Sequence, residues 1–139
     1  MIPTPLATVA SYVASAVAQR RPQDATGAAG TEITEVVVDS RLAGPGALFV
    51  ALPGERVDGH DFAQQAVDRG AVAVLCERDL PLDVPTLVVP DALAGLQALA
   101  RATFAEQQPL TIGVTGSSGK TSTKDLLGQV LAGYADTLF

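Results

Sequence analysis

"LTIGVTGSSGKTSTKDLL", residues 110–127, decides how this chain is read. An apolar run, Leu110–Val114, suggests a strand and leads into a loop of Thr, Gly and Ser. The loop leads into a segment whose Leu126, Leu127, Val130 and Leu131 recur at helical spacing. Strand, glycine-rich loop and helix, in that order, are the setting in which backbone N–H groups at a helix start surround a phosphate. The common pattern G-x-x-x-x-G-K-[ST] would place its first glycine at position 114, which is Val114, so the strict spacing is absent. The chemistry survives in Thr115, Gly116, Ser117, Ser118, Gly119, Lys120, Thr121 and Ser122. Gly116 and Gly119 permit positive φ and close approach of the backbone to phosphate oxygens. Lys120 is placed to reach the β- and γ-phosphates of ATP, and the Thr121 hydroxyl to ligate Mg²⁺. The competing reading is a Gly-Ser turn that only caps a helix, with Lys120 solvated.

Upstream of this unit, strands and helices alternate. Leu6, Val9, Ala10, Val13 and Val17 predict a helix from about Pro5 to Gln19, and Pro22 with "ATGAAG" a loop. "EITEVVVDSR" reads as a strand ending near Asp39, and "ALFVAL" (47–52) as a second after the turn at "GPG" (44–46). A helix is expected from about Asp61 to Arg69, stopped by Gly70. "AVAVLC" and "TLVVP" are further strands, and Asp91 is placed to cap a long helix with Leu93, Leu96, Ala100 and Thr103 on one stripe. "EQQP" (106–109) reads as a linker. The fold class is α/β. A small α/β domain over 1–107 is followed, over 108–139, by the first strand, phosphate loop and helix of a larger domain.

Composition narrows the function classes. With 47% hydrophobic residues among 139, a packed core is available, and with 4% aromatics it is built from aliphatic side chains. Nine basic against fifteen acidic residues give a net charge of −6, which disfavours general nucleic-acid or membrane-surface binding. Cys76, the one cysteine, sits in an apolar run and reads as a buried, inert thiol; neither a disulfide framework nor a CxxC metal pattern exists. The N-terminus lacks the pattern of a secretory signal, and no apolar run approaches the ~20 residues of a membrane span, so a cytoplasmic location is expected.

Two further stretches complete the pattern: "VVVDSRLAGPGALFVALPGERVDGHDF" (36–62) and "AVDRGAVAVLCE" (66–77). With "TGSSGKTSTKDLL" they resemble the Mur ligases, the ATP-dependent amide-forming enzymes of peptidoglycan precursor synthesis. The resemblance runs from about Glu35 to Leu127, and "GSSGKTSTK" is closest to the D-Ala-D-Ala-adding branch. It implies that the first domain docks a UDP-N-acetylmuramoyl peptide and that the second holds ATP and Mg²⁺. By this resemblance Ser40 contacts the uridine nucleotide, with Asp39 and Arg41 in support. Asp58, Gly59 and His60 belong to a second substrate motif, and Lys120 and Thr121 act in catalysis.

The implied reaction proceeds through an acyl phosphate, which the amine of D-Ala-D-Ala then attacks. The expected partners are these small molecules, acting on a protein that is monomeric at full length. The chain itself is expected to be an incomplete portion of such a ligase, inactive alone. Local explanations stand beside these roles. Asp39 and Arg41 can form a mere surface pair, Asp58 and Asp61 can cap a helix, and a lone histidine such as His60 is more often structural than catalytic. Lys124 matches the family motif but suits an exposed helix position. The alternatives are the related tripeptide-forming ligase, a non-catalytic UDP-sugar-binding module, and an unrelated phosphate-loop NTPase.

Overall fold

The computed structural model describes residues 3–16, 30–54 and 57–137. The expected continuation of the first helix to Gln19 and the loop around Pro22 lie outside the described residues. The chain forms two units, Met1–Gln107 and Gln108–Phe139.

In the first unit, β3 (Glu35–Val37), β4 (Ala47–Val50), β5 (Ala71–Cys76) and β6 (Thr86–Val88) form a four-stranded parallel sheet in that order. A strand buried on both faces needs an unbroken apolar sequence, and all four residues of β4 are buried. Alternation sends Leu48 and Val50 to one face and Ala47, Phe49 and Ala51 to the other. The first face packs on α1 (Leu6–Ala16) and α3 (Ala92–Gln107), through Leu6, Val9, Val13 and Leu99. The second packs on α2 (Ala63–Asp68) through Ala63 and Ala66, with Leu80, Leu82 and Val84 alongside. Ala71 and Ala73 lie on opposite faces although two residues apart, because the register of β4 against β5 shifts there and makes Val72 an extra residue.

The expected first strand is divided. β1 (Thr4–Pro5) pairs antiparallel with β2 (Glu32–Ile33), while β3 joins the main sheet. Thr34 separates them and donates its N–H to the Gly46 carbonyl at 2.9 Å. The expected helix from Asp61 also resolves into two parts, a 3₁₀ turn at Gly59–Phe62 and then α2. Gly70 does end it, with φ of 116°, and a Cβ there would lie 2.9 Å from the Pro45 nitrogen.

The expected stripe on α3 is corrected: Leu93 is 50% exposed and Ala100 is exposed, while Ala92, Gly95, Ala98 and Leu99 are buried. Small residues face inward because the helix lies close to its neighbours. A Cβ on Gly95 would be 3.2 Å from a Leu75 methyl and 3.4 Å from one of Val13. Asp91 caps this helix as expected, accepting the Ala94 N–H at 2.8 Å. Cys76 is fully buried, and burial pushes its thiol up to about 11.

In the second unit, α4 spans Lys120–Leu131, with Gly128 buried and Leu127 and Leu131 half-buried. Residues 110–114 form no strand, unlike the expectation from their sequence. A strand exists only in a ladder, and no described segment pairs with this one. Among the described residues, no helix is long and apolar enough to cross a membrane.

Candidate functional site

The connections leaving the carboxyl ends of β3 and β4 converge on one cavity. This is where ligands bind in open parallel sheets, since strand ends there release loops into solvent. The cavity measures about 510 Å³, within the range of small-molecule sites. Val38, Asp39, Ser40 and Arg41 follow β3, Gly59 and Phe62 follow β4, Phe49 rises from β4 itself, and Gln65 comes from α2.

The turn after β3 is built by Asp39. Its Oδ1 accepts the Arg41 N–H at 2.9 Å, capping a 3₁₀ turn over Ser40–Leu42. The Arg41 guanidinium returns to the same carboxylate, with Nε at 3.0 Å from Oδ1 and Nη2 at 2.7 Å from Oδ2. Those hydrogen bonds hold the Asp39 carboxyl down at about 2. The Arg41 side chain is 77% exposed, so the pair adds little stability and serves to orient the turn at the cavity mouth. Arg69 braces it from α2's end, donating to the Arg41 carbonyl at 3.3 Å.

Ser40 is buried and donates its Oγ–H to Gln65 Oε1 at 2.6 Å. A serine whose hydroxyl proton rests on an amide oxygen has no base there to activate it as a nucleophile. Its oxygen lone pairs and the Gln65 amide N–H groups remain as acceptor and donors beside the apolar walls of Val38, Phe49 and Phe62. That combination suits a flat, hydrogen-bonding heterocycle or sugar.

The turn after β4 is built by Asp58. Its Oδ1 accepts the His60 backbone N–H at 3.0 Å and meets His60 Nδ1 at 2.6 Å, and Oδ2 accepts from Arg78 at 2.9 Å. The His60 backbone and ring hydrogen bonds hold the Asp58 carboxyl down at about 2. Gly59 donates to the Leu52 carbonyl at 2.9 Å, and its missing Cβ is what allows the approach.

Of the residues expected to bind substrate, Asp39, Ser40, Arg41 and Gly59 line one cavity. Asp58 and His60 stand behind the turn. The His60 side chain is 2% exposed, and its Nε2 accepts the Glu77 N–H at 2.9 Å. Both ring nitrogens of His60 are thus engaged inside the protein. Sequence reasoning missed Gln65 and Arg69. Their spacing from Phe62, three and seven residues, was the available signal, because it places all three on one side of the helical segment.

In the second unit the loop 115–119 leads into α4. Gly116 has φ of 151° and Gly119 φ of 74°, both outside the range L-residues favour. A Cβ on Gly119 would meet nothing within 4 Å, so conformation and not space requires glycine there. No side chain caps α4; its first internal bond runs from the Thr123 N–H to the Gly119 carbonyl at 2.9 Å. The N–H groups of Lys120, Thr121 and Ser122 therefore lie in the first turn without intrahelical acceptors, which is the electrostatics of an anion site. Lys120 folds back over the loop, its ammonium donating to the Gly116 carbonyl. Lys124 pairs with Asp125 at 3.0 Å on the helix surface. The residues fit a nucleotide phosphate. For a metal they offer the Thr121 hydroxyl, and no cluster of His, Cys, Asp and Glu among the described residues could hold one.

A family model described as "Mur ligase family, catalytic domain" matches residues 32–106. The chain is 46% identical to the UDP-N-acetylmuramoyl-tripeptide–D-alanyl-D-alanine ligase of Mycobacterium tuberculosis, covering 95% of this chain and 30% of that protein. Among solved structures, a MurF from Acinetobacter baumannii superposes with a TM-score of 0.69 at 34% identity, over 91% of this chain and 28% of that one. MurF ligase from Thermotoga maritima, in complex with ADP, gives 0.59 at 37% identity, over 72% of this chain and 23% of that one.

Proposed function

The chain belongs to the Mur ligase family, and from that premise we propose that its first unit docks a UDP-N-acetylmuramoyl peptide while its second opens an ATP site. The whole ligase then adds D-Ala-D-Ala to the UDP-muramoyl tripeptide through an acyl phosphate. The observation that carries this reading is the cavity formed by the Asp39–Arg41 and Gly59–Phe62 turns, in the same chain as the uncapped loop at 115–122.

The first unit binds and orients. Ser40 and Gln65 present an acceptor and donors to a polar ring edge, and Phe49, Phe62 and Val38 exclude water from its faces. The cavity contains no nucleophile–base pair, so bond making is the task of other residues. The second unit supplies the phosphate contacts. The N–H groups of 120–122 and the Lys120 ammonium meet anionic oxygens, and these contacts strengthen as negative charge develops on the transferred group. Magnesium, when bound, would offset phosphate charge, with the Thr121 hydroxyl as a ligand from this chain.

The test is an NMR titration of the 139-residue chain. UDP-N-acetylmuramoyl tripeptide is expected to shift the amides of 38–41, 59–62 and 65, and ATP·Mg²⁺ those of 116–122. Saturating UDP-sugar that moves none of the first set refutes the docking role. ATP that leaves the loop amides unchanged refutes the phosphate role.

A further inference from the structure

The wall formed by Gly59–Phe62 is fastened from behind by one side chain. His60 lies between the two wall residues Gly59 and Phe62, yet its ring leaves the cavity and reaches the end of β5. A backbone N–H can only donate, so the Glu77 N–H at 2.9 Å requires an unprotonated His60 Nε2. The ring proton of the neutral imidazole then sits on Nδ1, 2.6 Å from Asp58 Oδ1. The chain of contacts continues past the ring: Glu77 Oε1 accepts the Ala92 N–H at 2.9 Å, at the start of α3. The wall of the cavity is thus joined through His60 to β5 and α3.

Charged groups surround the ring. On the turn they are the carboxylates of Asp58 and Asp61. Beyond β5, Arg78 faces both, at 2.9 Å from Asp58 Oδ2 and 3.7 Å from Asp61 Oδ1. The Glu77 carboxylate is committed to Ala92 N–H. Cys76, which ends β5, is a buried neutral thiol. A second proton on the ring would set two N–H donors against each other at the Glu77 contact, with no acceptor between them.

We propose that His60 is a positioning residue of the docking cavity: as its neutral Nδ1–H form it pins the Gly59–Phe62 wall to β5, and protonation at Nε2 releases that wall. The inference rests on the docking reading above and adds to it a named residue and a pH dependence of substrate affinity.

The chain has a single histidine, so its imidazole signals are unambiguous. Long-range ¹H–¹⁵N spectra of the 139-residue chain should show the Nδ1–H tautomer in the unprotonated ring. As the ring is protonated, the amides of Glu77, Gly59 and Phe62 should move with the ring's own midpoint. Affinity for UDP-N-acetylmuramoyl tripeptide should fall about five- to tenfold through the same transition, the equivalent of one hydrogen bond. His60→Gln keeps an acceptor within reach of Glu77, whereas His60→Asn keeps only the partner of Asp58. The Gln variant should bind within about twofold of the parent and the Asn variant about fivefold more weakly, both without the pH step.

An Nε2–H tautomer, a ring titration that leaves the Glu77 amide still, or an Asn variant with the parent's affinity and pH profile overturns the proposal. Should the Asn variant fail to fold, the parent's titration and the Gln variant decide the matter. Absence of ligand binding at every pH refutes the docking reading instead, and the ligand-free titration still decides whether the clasp exists.

Discussion

Replacing Gly59 by alanine tests how the cavity wall is held. An ideal Cβ at Gly59 would lie 2.5 Å from the Leu52 carbonyl oxygen and 2.8 Å from the Leu52 nitrogen. Both are backbone atoms at the exit of β4, so no side-chain rotation relieves the contact. Bringing the carbon to an acceptable distance needs movement on the order of half an ångström or more, and the bond it strains first is Gly59 N–H to Leu52 O at 2.9 Å. Overpacking of this kind costs about 1–3 kcal/mol and a weakened backbone hydrogen bond about 1 more, so about 2–4 kcal/mol in all. At ordinary urea sensitivities that lowers the unfolding midpoint by roughly 1–2 M. Gly44→Ala is the control in the same unit, since a Cβ there would meet only Glu35 Oε1, at an ordinary 3.7 Å. The assay is urea unfolding of both variants followed by circular dichroism. If Gly59→Ala unfolds at the same midpoint as Gly44→Ala, the close approach does not constrain the turn and the account of the wall fails.

Carboxyl ¹³C titrations should give midpoints of about 2 for Asp39 and Asp58. Both folded values are depressed, so their stabilisation is fully present above the unfolded value of about 3.9 and is lost as pH falls through 2; midpoints near 4 would contradict the hydrogen-bonded geometry. Cys76 should resist a thiol-specific reagent in the folded chain and react only on unfolding, so rapid labelling of native protein would contradict its burial. Ser40→Ala should weaken UDP-muramoyl peptide binding by about tenfold and leave ATP binding unchanged; equal affinity by calorimetry would remove Ser40 from the site. On the proposed function, Lys120→Ala should nearly abolish turnover by the whole ligase, and near-normal phosphate release would sink the assignment of the loop.

What the sequence disclosed, and what it concealed, follows from how local each determinant is. The apolar run of β4, the cap at Asp91 and the helix stop at Gly70 rest on neighbours in sequence, and each formed as read. The inner stripe of α3 was misread because it is made of Ala92, Gly95 and Ala98. Helix faces are ordinarily read from large side chains, whereas this one was selected by closeness to Leu75 and Val13. The run at 110–114 has strand chemistry without strand pairing, since pairing needs a second segment. In the cavity, Asp39, Ser40 and Arg41 were singled out by resemblance, while the turn that Asp39 caps was not read from the sequence. The Ser40–Gln65 bond spans twenty-five residues and was not read either. His60 was visible as a residue, but its partner was not, because the group that fixes its ring is a backbone N–H seventeen positions away.

The two sites differ in what they can contribute to a reaction, and the difference argues for a division of labour. The cavity is rich in orienting contacts and poor in reactive ones: its serine donates to an amide, its arginine is held by Asp39, and the histidine behind its wall is turned inward. The loop at 115–122 is the reverse, exposed, without a side-chain cap on the helix it opens, and with one ammonium group folded over it. Binding energy gathered at a part of the substrate remote from the reacting atoms is useful when it restricts the reacting end, because loss of freedom there is otherwise part of the barrier. Under the function proposed above, the cavity would grip without reacting and the loop would stabilise charge without enclosing, as that strategy requires. It follows that damage to the Gly59–Phe62 wall should act first on the affinity for the nucleotide-sugar, and damage to Lys120 on the rate of phosphoryl transfer. A wall variant that slowed transfer at saturating substrate while leaving affinity intact would contradict this separation.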